Sequence, residues 1–373
     1  MTRGRAESRS QERIRHLVVD SRLDHQALRR AVLAEVARTV PFDAFVWPLC
    51  DPRSTVAMAP QARIPCPQEL PRLVRLKYLS RPARWTVLMG SPSPAVTLLQ
   101  ATEGELARSP VWNGVMQRYG VRDVLSTVFS DKYGCWAWLD LWRTGDSRAF
   151  SDQEASYLAA LAEVVAAGLR RAVAREFRAN AAPGTASFGN GSVRNGEHPL
   201  PAQAVLTLDD DLRIAGQTAS VDDWLRLLQP GPSPHHHVPA EVLNVAAQLL
   251  AREAGVDSHE AEGRVHIGAG RWATLRATRM ASGAPDSAGP PLAVTIQGCS
   301  ASSRLDMFAR AFGLTPRQGE LLRLASTGAD TGTMAEAQGV SQYTVQDQFK
   351  HVFQTCGVHS RPSLLAMALG NGI

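Results

Sequence analysis

Hydrophobic positions divide this 373-residue chain into three stretches of different rhythm, two of them mixed and the last purely helical. In the first, Ile14, Leu17, Val18, Leu28, Val32, Leu33 and Val36 recur at helical spacing and stop before Pro41. An apolar run over 42–49 predicts a strand ending at the Asp51-Pro52 turn. After a Pro-rich stretch, a mixed helix is expected over about 102–119, then strands at 124–129 and 135–142 joined by a turn. Ser151, with Glu154 three residues on, reads as a capping box opening a helix to about Phe177. Residues 179–200 are rich in Gly, Ala, Ser and Asn without periodicity, the composition of a linker. The second stretch predicts strands at 204–208 and 212–215, a short helix at 222–228, a Pro/His loop and a helix at about 239–254. Strands at 264–267, 272–278 and 293–297 complete it.

From Leu314 the chain becomes closely spaced helices. Thr315-Pro316 opens one that stops at Gly328, a second spans about 331–338, Gly339 supplies a tight turn, and Ser341 caps a third running to about Thr355. The third helix has two faces. Val345, Phe349, Val352 and Phe353 share one side, and Tyr343, Thr344, Asp347, Lys350, His351 and Gln354 lie opposite, with Gln346 on the flank. A short helix, a glycine turn and a helix with a polar outer face fit helix-turn-helix geometry, in which amide or cationic side chains reach base edges in the major groove. Periodicity alone fits a three-helix structural bundle equally well.

The order of elements over the first 170 or so residues resembles a GAF-type sensor domain, and the α+β order that follows is similar to a PAS domain. More specific anchors lie in 314–369. Leu314-Thr315-Pro316-Arg317, Leu322-Arg323-Leu324, Thr344-Val345, Gly357-Val358-His359-Ser360-Arg361 and Leu364-Leu365-Ala366 resemble the LuxR-type regulator family at that family's spacing. These resemblances imply an α+β multidomain fold: a GAF-like α+β domain at 1–178, a linker at 179–200, a PAS-like α+β domain at 201–300 and a C-terminal all-α four-helix helix-turn-helix at 301–373. They imply a bacterial transcriptional regulator that binds double-stranded DNA as a homodimer and answers to a small-molecule or protein signal at residues 1–300. The helix opened by Ser341 would read the groove, with Ser341, Tyr343, Thr344, Gln346, Asp347, Lys350 and His351 as DNA contacts, and the last helix, about 360–369, would help dimerise it. No catalytic activity, cofactor or metal is expected.

The chain departs from that family in places. Gln318 and Gly319 stand where charged residues are usual, Thr333 where Glu is, Gln338 where an apolar core residue is, and Gln346 where Lys is. A glycine inside a helix costs up to ~1 kcal/mol relative to alanine. A buried Gln338 needs hydrogen-bond partners or costs roughly a few kcal/mol.

A formal charge of +5 and a pI near 9.2 suit a nucleic-acid partner without requiring one. Within 314–373, however, Arg317, Arg323, Lys350 and Arg361 are balanced by Glu320, Asp330, Glu336 and Asp347. Phosphate neutralisation supplies most non-specific affinity, so binding is expected to be weak and salt-sensitive unless a dimer doubles the contacts. The alternative is a protein-interaction regulator with a degenerate helix-turn-helix that does not bind DNA.

Five cysteines, far apart and without CxxC spacing, suggest neither a disulfide framework nor a zinc site. The basic, polar N-terminus is unlike a signal peptide, and the apolar stretch 155–174 carries Glu163, Arg170 and Arg171, so a cytoplasmic chain off the membrane is expected. Asp209-Asp210-Asp211 reads as a turn rather than a phosphoacceptor, because no lysine lies between Lys132 and Lys350. His235-His236-His237, among prolines, reads as a loop rather than a metal site. Trp136, Trp138 and Trp142 fall on one face of a strand; they line either a ligand cavity or a core. The run Arg3, Arg5, Arg9, Arg13 and Arg15 either touches DNA or forms a solvated helix edge. No phosphate-binding loop, dinucleotide glycine motif or nucleophile motif occurs.

Overall fold

A computed structural model describes residues 2–179, 200–229, 238–281 and 290–370. Helices α1 (Thr2–Val19) and α2 (His25–Val36) precede strands β1 (Ala44–Cys50) and β2 (Ala57–Arg63). Helices α3 (Leu70–Leu79) and α4 (Trp85–Leu88) lead to β3 (Ala95–Thr97). The short helices α5 (Leu98–Ala101) and α6 (Pro110–Gly114) then lead to a long hairpin, β4 (Val121–Asp131) and β5 (Gly134–Thr144), and to α7 (Asp152–Ala179). Next come β6 (Ala204–Leu208), β7 (Ile214–Gln217), α8 (Val221–Leu228), α9 (Ala240–Glu253), β8 (Glu262–His266), β9 (Trp272–Arg279) and β10 (Leu292–Gly298). Five helices follow: α10 (Ala301–Phe312), α11 (Pro316–Ser326), α12 (Thr331–Gln338), α13 (Gln342–Cys356) and α14 (Arg361–Leu369).

The architecture is mixed α+β, with two five-stranded sheets ordered β2-β1-β5-β4-β3 and β7-β6-β10-β9-β8. Numbered within its own sheet, each set of strands follows one permutation, second-first-fifth-fourth-third. The chain forms two compact units: Met1–Leu169, Pro201–Val265 and Ala273–Gln297 make one; Arg170–Leu200, His266–Trp272 and Gly298–Ile373 make the other. The first unit thus holds nearly all of both sheets, and α7 contributes to both units.

Local sequence accounts for most of these elements. Of the N-terminal helical stripe all but Leu17 is buried. The Ser151–Glu154 box forms as expected, with Ser151 N donating to Glu154 Oε2 at 2.9 Å and Glu154 N to Ser151 Oγ at 3.3 Å. α1 and α7 approach so closely that a Cβ at Gly168 would lie 2.6 Å from Val18 Cβ. β4 and β5 are buried along nearly their whole length on both faces, so they read as apolar runs rather than alternations.

The expected helix over 102–119 is instead broken. Glu103 and Gly104 take left-handed backbone conformations, with φ of 55° and 86°, which end any helix there. Ser109 and Pro110 then cap and open the separate helix α6.

Buried charges tie together the two sheet-bearing segments of the first unit. Arg264 on β8 grips Asp51, just after β1, through Nε at 2.6 Å and Nη2 at 2.8 Å, and both side chains are 2% exposed. Burial pushes the Asp51 carboxyl up, but the guanidinium and the backbone N–H groups of Arg53 and Ser54 hold it below its ordinary value. Arg84 and Asp257 form a second buried pair at 2.8 Å. α9 is buried almost all round. Its Glu241 accepts from Ala59 N at 3.1 Å, and its Asn244 donates to Ala57 O at 2.9 Å.

Asp51→Ala removes the carboxylate that accepts from Arg264 and from the backbone N–H groups of Arg53, Ser54 and Arg264, so urea denaturation should show a loss of about 3–5 kcal/mol. A loss below about 1 kcal/mol, the range of a solvated surface pair, would mean the pair does not hold the unit together.

Candidate functional site

α12 and α13 are joined by Gly339-Val340-Ser341. Gly339 sits at φ 62°, a left-handed conformation that glycine adopts without steric cost. Asp330 caps α12 by accepting from Thr333 N at 2.8 Å, and Ser341 caps α13 by accepting from Thr344 N at 3.1 Å. Leu321, Ala325, Met334, Ala335 and Val345 form the core beneath, with Phe349 and Leu365 packed against it. Val352 is buried and Phe353 half-buried. On the opposite face Tyr343 is 80% exposed, and Gln346, Asp347, Lys350, His351 and Gln354 are also exposed. Thr344 is half-buried, its hydroxyl 2.9 Å from that of Ser341. His351 Nε2 lies 3.4 Å from Asp347, and Lys350 forms no ion pair among the described residues.

Two of the unusual residues are held by local hydrogen bonds. Gln318 completes a capping box with Thr315, its Oε1 accepting from Thr315 N at 2.9 Å. Half-buried Gln338 donates to Arg317 O at 3.0 Å, while its Oε1 is buried without a partner. Arg361 ties the bundle internally, donating to the Ala325 and Ala329 carbonyls at 3.0 and 2.7 Å. Gly319 has no steric need to be glycine: a Cβ there would meet Ala309 Cβ at 3.6 Å, an ordinary contact. Gly319→Ala should therefore stabilise the helical unit by up to about 1 kcal/mol in thermal or urea unfolding, and a destabilised variant would show that the site is tighter than this geometry.

The last turns of α7 belong to this unit. Phe177, fully buried, stacks on Trp272 with centroids 5.1 Å apart and meets Phe308 edge-on at 5.3 Å. Arg178 donates to the Thr355 and Cys356 carbonyls at the C-terminus of α13, where the helix dipole is negative. Buried Arg304 donates to Ala368 O at 2.8 Å. Over its three segments the unit carries twelve arginines and lysines against seven carboxylates, a formal +5. That equals the surplus of the entire chain. Phe177→Ala should cost about 3–5 kcal/mol, read as earlier unfolding of the helical unit; unchanged unfolding would show that the end of α7 is not part of it.

His266 in the same unit feels opposed influences. Burial and the charge of Arg304 lower its imidazole to about 4, whereas Glu176 Oε2, 3.4 Å from Nδ1, favours the cation. The first pair prevails, because that contact is longer than the roughly 2.8 Å of a charge-assisted hydrogen bond. Between pH ~6.5 and ~4 the unfolded chain then binds a proton that the folded chain does not. Stability should fall as the pH drops through this window, by on the order of 3 kcal/mol in full. Urea titrations at either end of the window read this, and His266→Gln should flatten the dependence.

The first unit contains the second candidate site, a cavity of about 610 Å³ lined by Trp138 and Trp142 of β5 together with residues of β1, β2, α3 and α9. Trp85 stacks on Trp138 at 5.2 Å, and Lys77 Nζ lies 5.1 Å from the Trp138 ring centroid. Lys77 donates to Asp140 Oδ2 at 2.7 Å, and Asp140 Oδ1 accepts from Ser126 at 2.7 Å. Trp136 is not in the lining. The register slips there, with Phe129 opposite Ala137 and Ser130 opposite Cys135. This bulge re-aims the residue, whose Nε1 donates to Asp131 at 2.9 Å. Lys77 and Asp140 escaped the sequence reading, although a lone carboxylate in the apolar run 135–142 was a signal that a cation lay opposite.

Other candidates resolve into structural roles. Asp209 Oδ1 accepts from the backbone of Asp211 and Arg213, a turn. Arg13 pairs with Glu35 and Arg15 with Glu12, whereas the side chains of Arg3 and Arg5 lie outside the described residues. The five cysteines are free thiols, and burial pushes Cys66 up to about 11 and Cys356 up to about 12. His235-His236-His237 and nearly all of the 179–200 segment lie outside the described residues. Among those described, no group of three His, Cys, Asp or Glu side chains could hold a metal, and no helix is long and apolar enough to cross a membrane. No family model matches the chain, and no curated protein matches it.

Proposed function

We propose that this chain is a LuxR-type transcriptional regulator that binds double-stranded DNA as a homodimer through α12 and α13, under the control of GAF-like (1–178) and PAS-like (201–300) sensor segments. The observation that carries the reading is α13 itself: capped at its start by Ser341, anchored by Val345 and Val352, and presenting Tyr343, Gln346, Asp347, Lys350 and His351 outward at the end of a three-residue turn. Those side chains are the proposed groove contacts, with Ser341 near a phosphate. Thr344 contributes less, because its hydroxyl is already shared with Ser341. Support comes from the +5 charge of the helical unit, of the sign that phosphates attract. The common strand permutation of the two sheets supports a pair of related sensor modules.

Fluorescence anisotropy of the full chain against DNA from its own upstream region tests this across a salt series. Binding is expected, with its logarithm falling linearly with the logarithm of salt, and Lys350→Ala should reduce the slope by about 1. Absence of binding even at low salt would overturn the reading and direct the search to protein partners.

A further inference from the structure

We propose that Asp347 restricts the DNA bound by this chain to sites with a cytosine in the major groove of each half-site, the carboxylate accepting a hydrogen bond from the cytosine amino group. The inference rests on the reading of α13 as the helix that enters the groove, and it names what that helix selects.

Val345 and Val352 are buried and Phe349 and Phe353 half-buried, so these four residues define the inward side of α13. At about 3.6 residues per turn, Asp347 falls almost diametrically opposite the centre of that side. Tyr343 lies one turn before it and Lys350 and His351 one turn after, all of them exposed. The outward stripe is thus centred on the only carboxylate in the sequence of α13.

The fold makes no use of this carboxylate. Ser341 already caps the start of α13, and the Asp347 side chain is 54% exposed. Its nearest ionic neighbour, His351 Nε2, stands 3.4 Å away, beyond the roughly 2.7–3.2 Å of an N–H···O hydrogen bond. Among the described residues Lys350, on the next turn, forms no ion pair with it. The acceptor capacity of Asp347 is therefore available to a ligand.

An ionised carboxylate can only accept, and phosphates repel it, so on DNA it lowers general affinity. In the major groove guanine presents the acceptors N7 and O6, thymine presents the acceptor O4, and adenine sets an acceptor N7 beside its amino group. Cytosine alone presents an amino donor with no acceptor of its own beside it. The cost of placing Asp347 in the groove is therefore offset best over cytosine.

The full chain is used to select binders from a duplex library randomised over about 20 base pairs, two half-sites one helical turn apart, and the selected duplex is measured by fluorescence anisotropy. A cytosine is expected at one position of each half-site. Replacing that C·G pair by T·A, which puts the acceptor O4 where the amino group was, should weaken binding roughly tenfold or more. Asp347→Asn keeps the shape and can both donate and accept, so it should shrink that penalty to about twofold or less. The same variant should bind unselected DNA more tightly than the unchanged chain does, because a charge that phosphates repel is gone. Asp347→Glu, which keeps the acceptor, should retain the preference for cytosine. The proposal is overturned if no cytosine is selected, if Asp347→Asn keeps the full penalty, or if that variant weakens binding to every sequence alike, as loss of a merely structural residue would. Binding that is indifferent to Asp347 overturns this inference and leaves the DNA reading standing. A library that yields no binder even at low salt overturns the DNA reading itself, and this inference with it.

Discussion

A carboxylate and a guanidinium that water does not reach can coexist only if each satisfies the other's hydrogen bonds, and that requirement governs the first unit. Asp51 meets it with two side-chain bonds from Arg264 and further bonds from backbone N–H groups. The pair contributes less net stability than its Coulomb attraction suggests, since desolvation offsets most of the gain. Its consequence is positional. Any shift of β8 relative to the end of β1 would leave a buried charge unmatched. Arg84–Asp257 and the polar residues of α9 impose the same condition at other points. Two segments separated in sequence by a compositional linker therefore form one body, and a cavity lined by both α3 and α9 can keep a defined shape.

Elements whose boundaries are set by neighbouring residues were legible in the sequence. The stripe from Ile14 to Val36, the Ser151–Glu154 box, the Thr315-Pro316 start and the Gly339 turn each depend on contacts within a few positions. The exposed polar side of α13 followed from periodicity for the same reason. What was not legible depends on partners distant in sequence. The helical pattern over 102–119 could not reveal that Glu103 and Gly104 turn left-handed. β2 carries Pro60 and ends in the polar Gln61 and Arg63, too weak an alternation to announce a strand. Strand parity grouped Trp136 with Trp138 and Trp142, and a single bulge separated it from them. Lys77 and Asp140 are 63 positions apart, and only the fold brings them to 2.7 Å.

The charge of the helical unit shows most clearly how a local count misleads. Within 314–373 acids and bases cancel, and two of the four bases are committed to Glu320 and to backbone carbonyls. The compact unit is nonetheless basic, because its boundary is drawn by packing rather than by sequence. Phe177 buries the end of α7 against Phe308 and Trp272, and α7 brings Arg170, Arg171, Arg175 and Arg178 with it. Arg178 is spent on the carbonyl end of α13, and it stabilises the end of that helix remote from Ser341. The helix proposed to read DNA is thus capped at its start by its own sequence and at its finish by a residue 178 positions earlier. Loss of the α7 contacts would remove a structural cap from the end of α13 and four arginines from the unit's surplus of positive charge. The packing of α7 and the capping of the end of α13 thus rest on adjacent residues, Phe177 and Arg178.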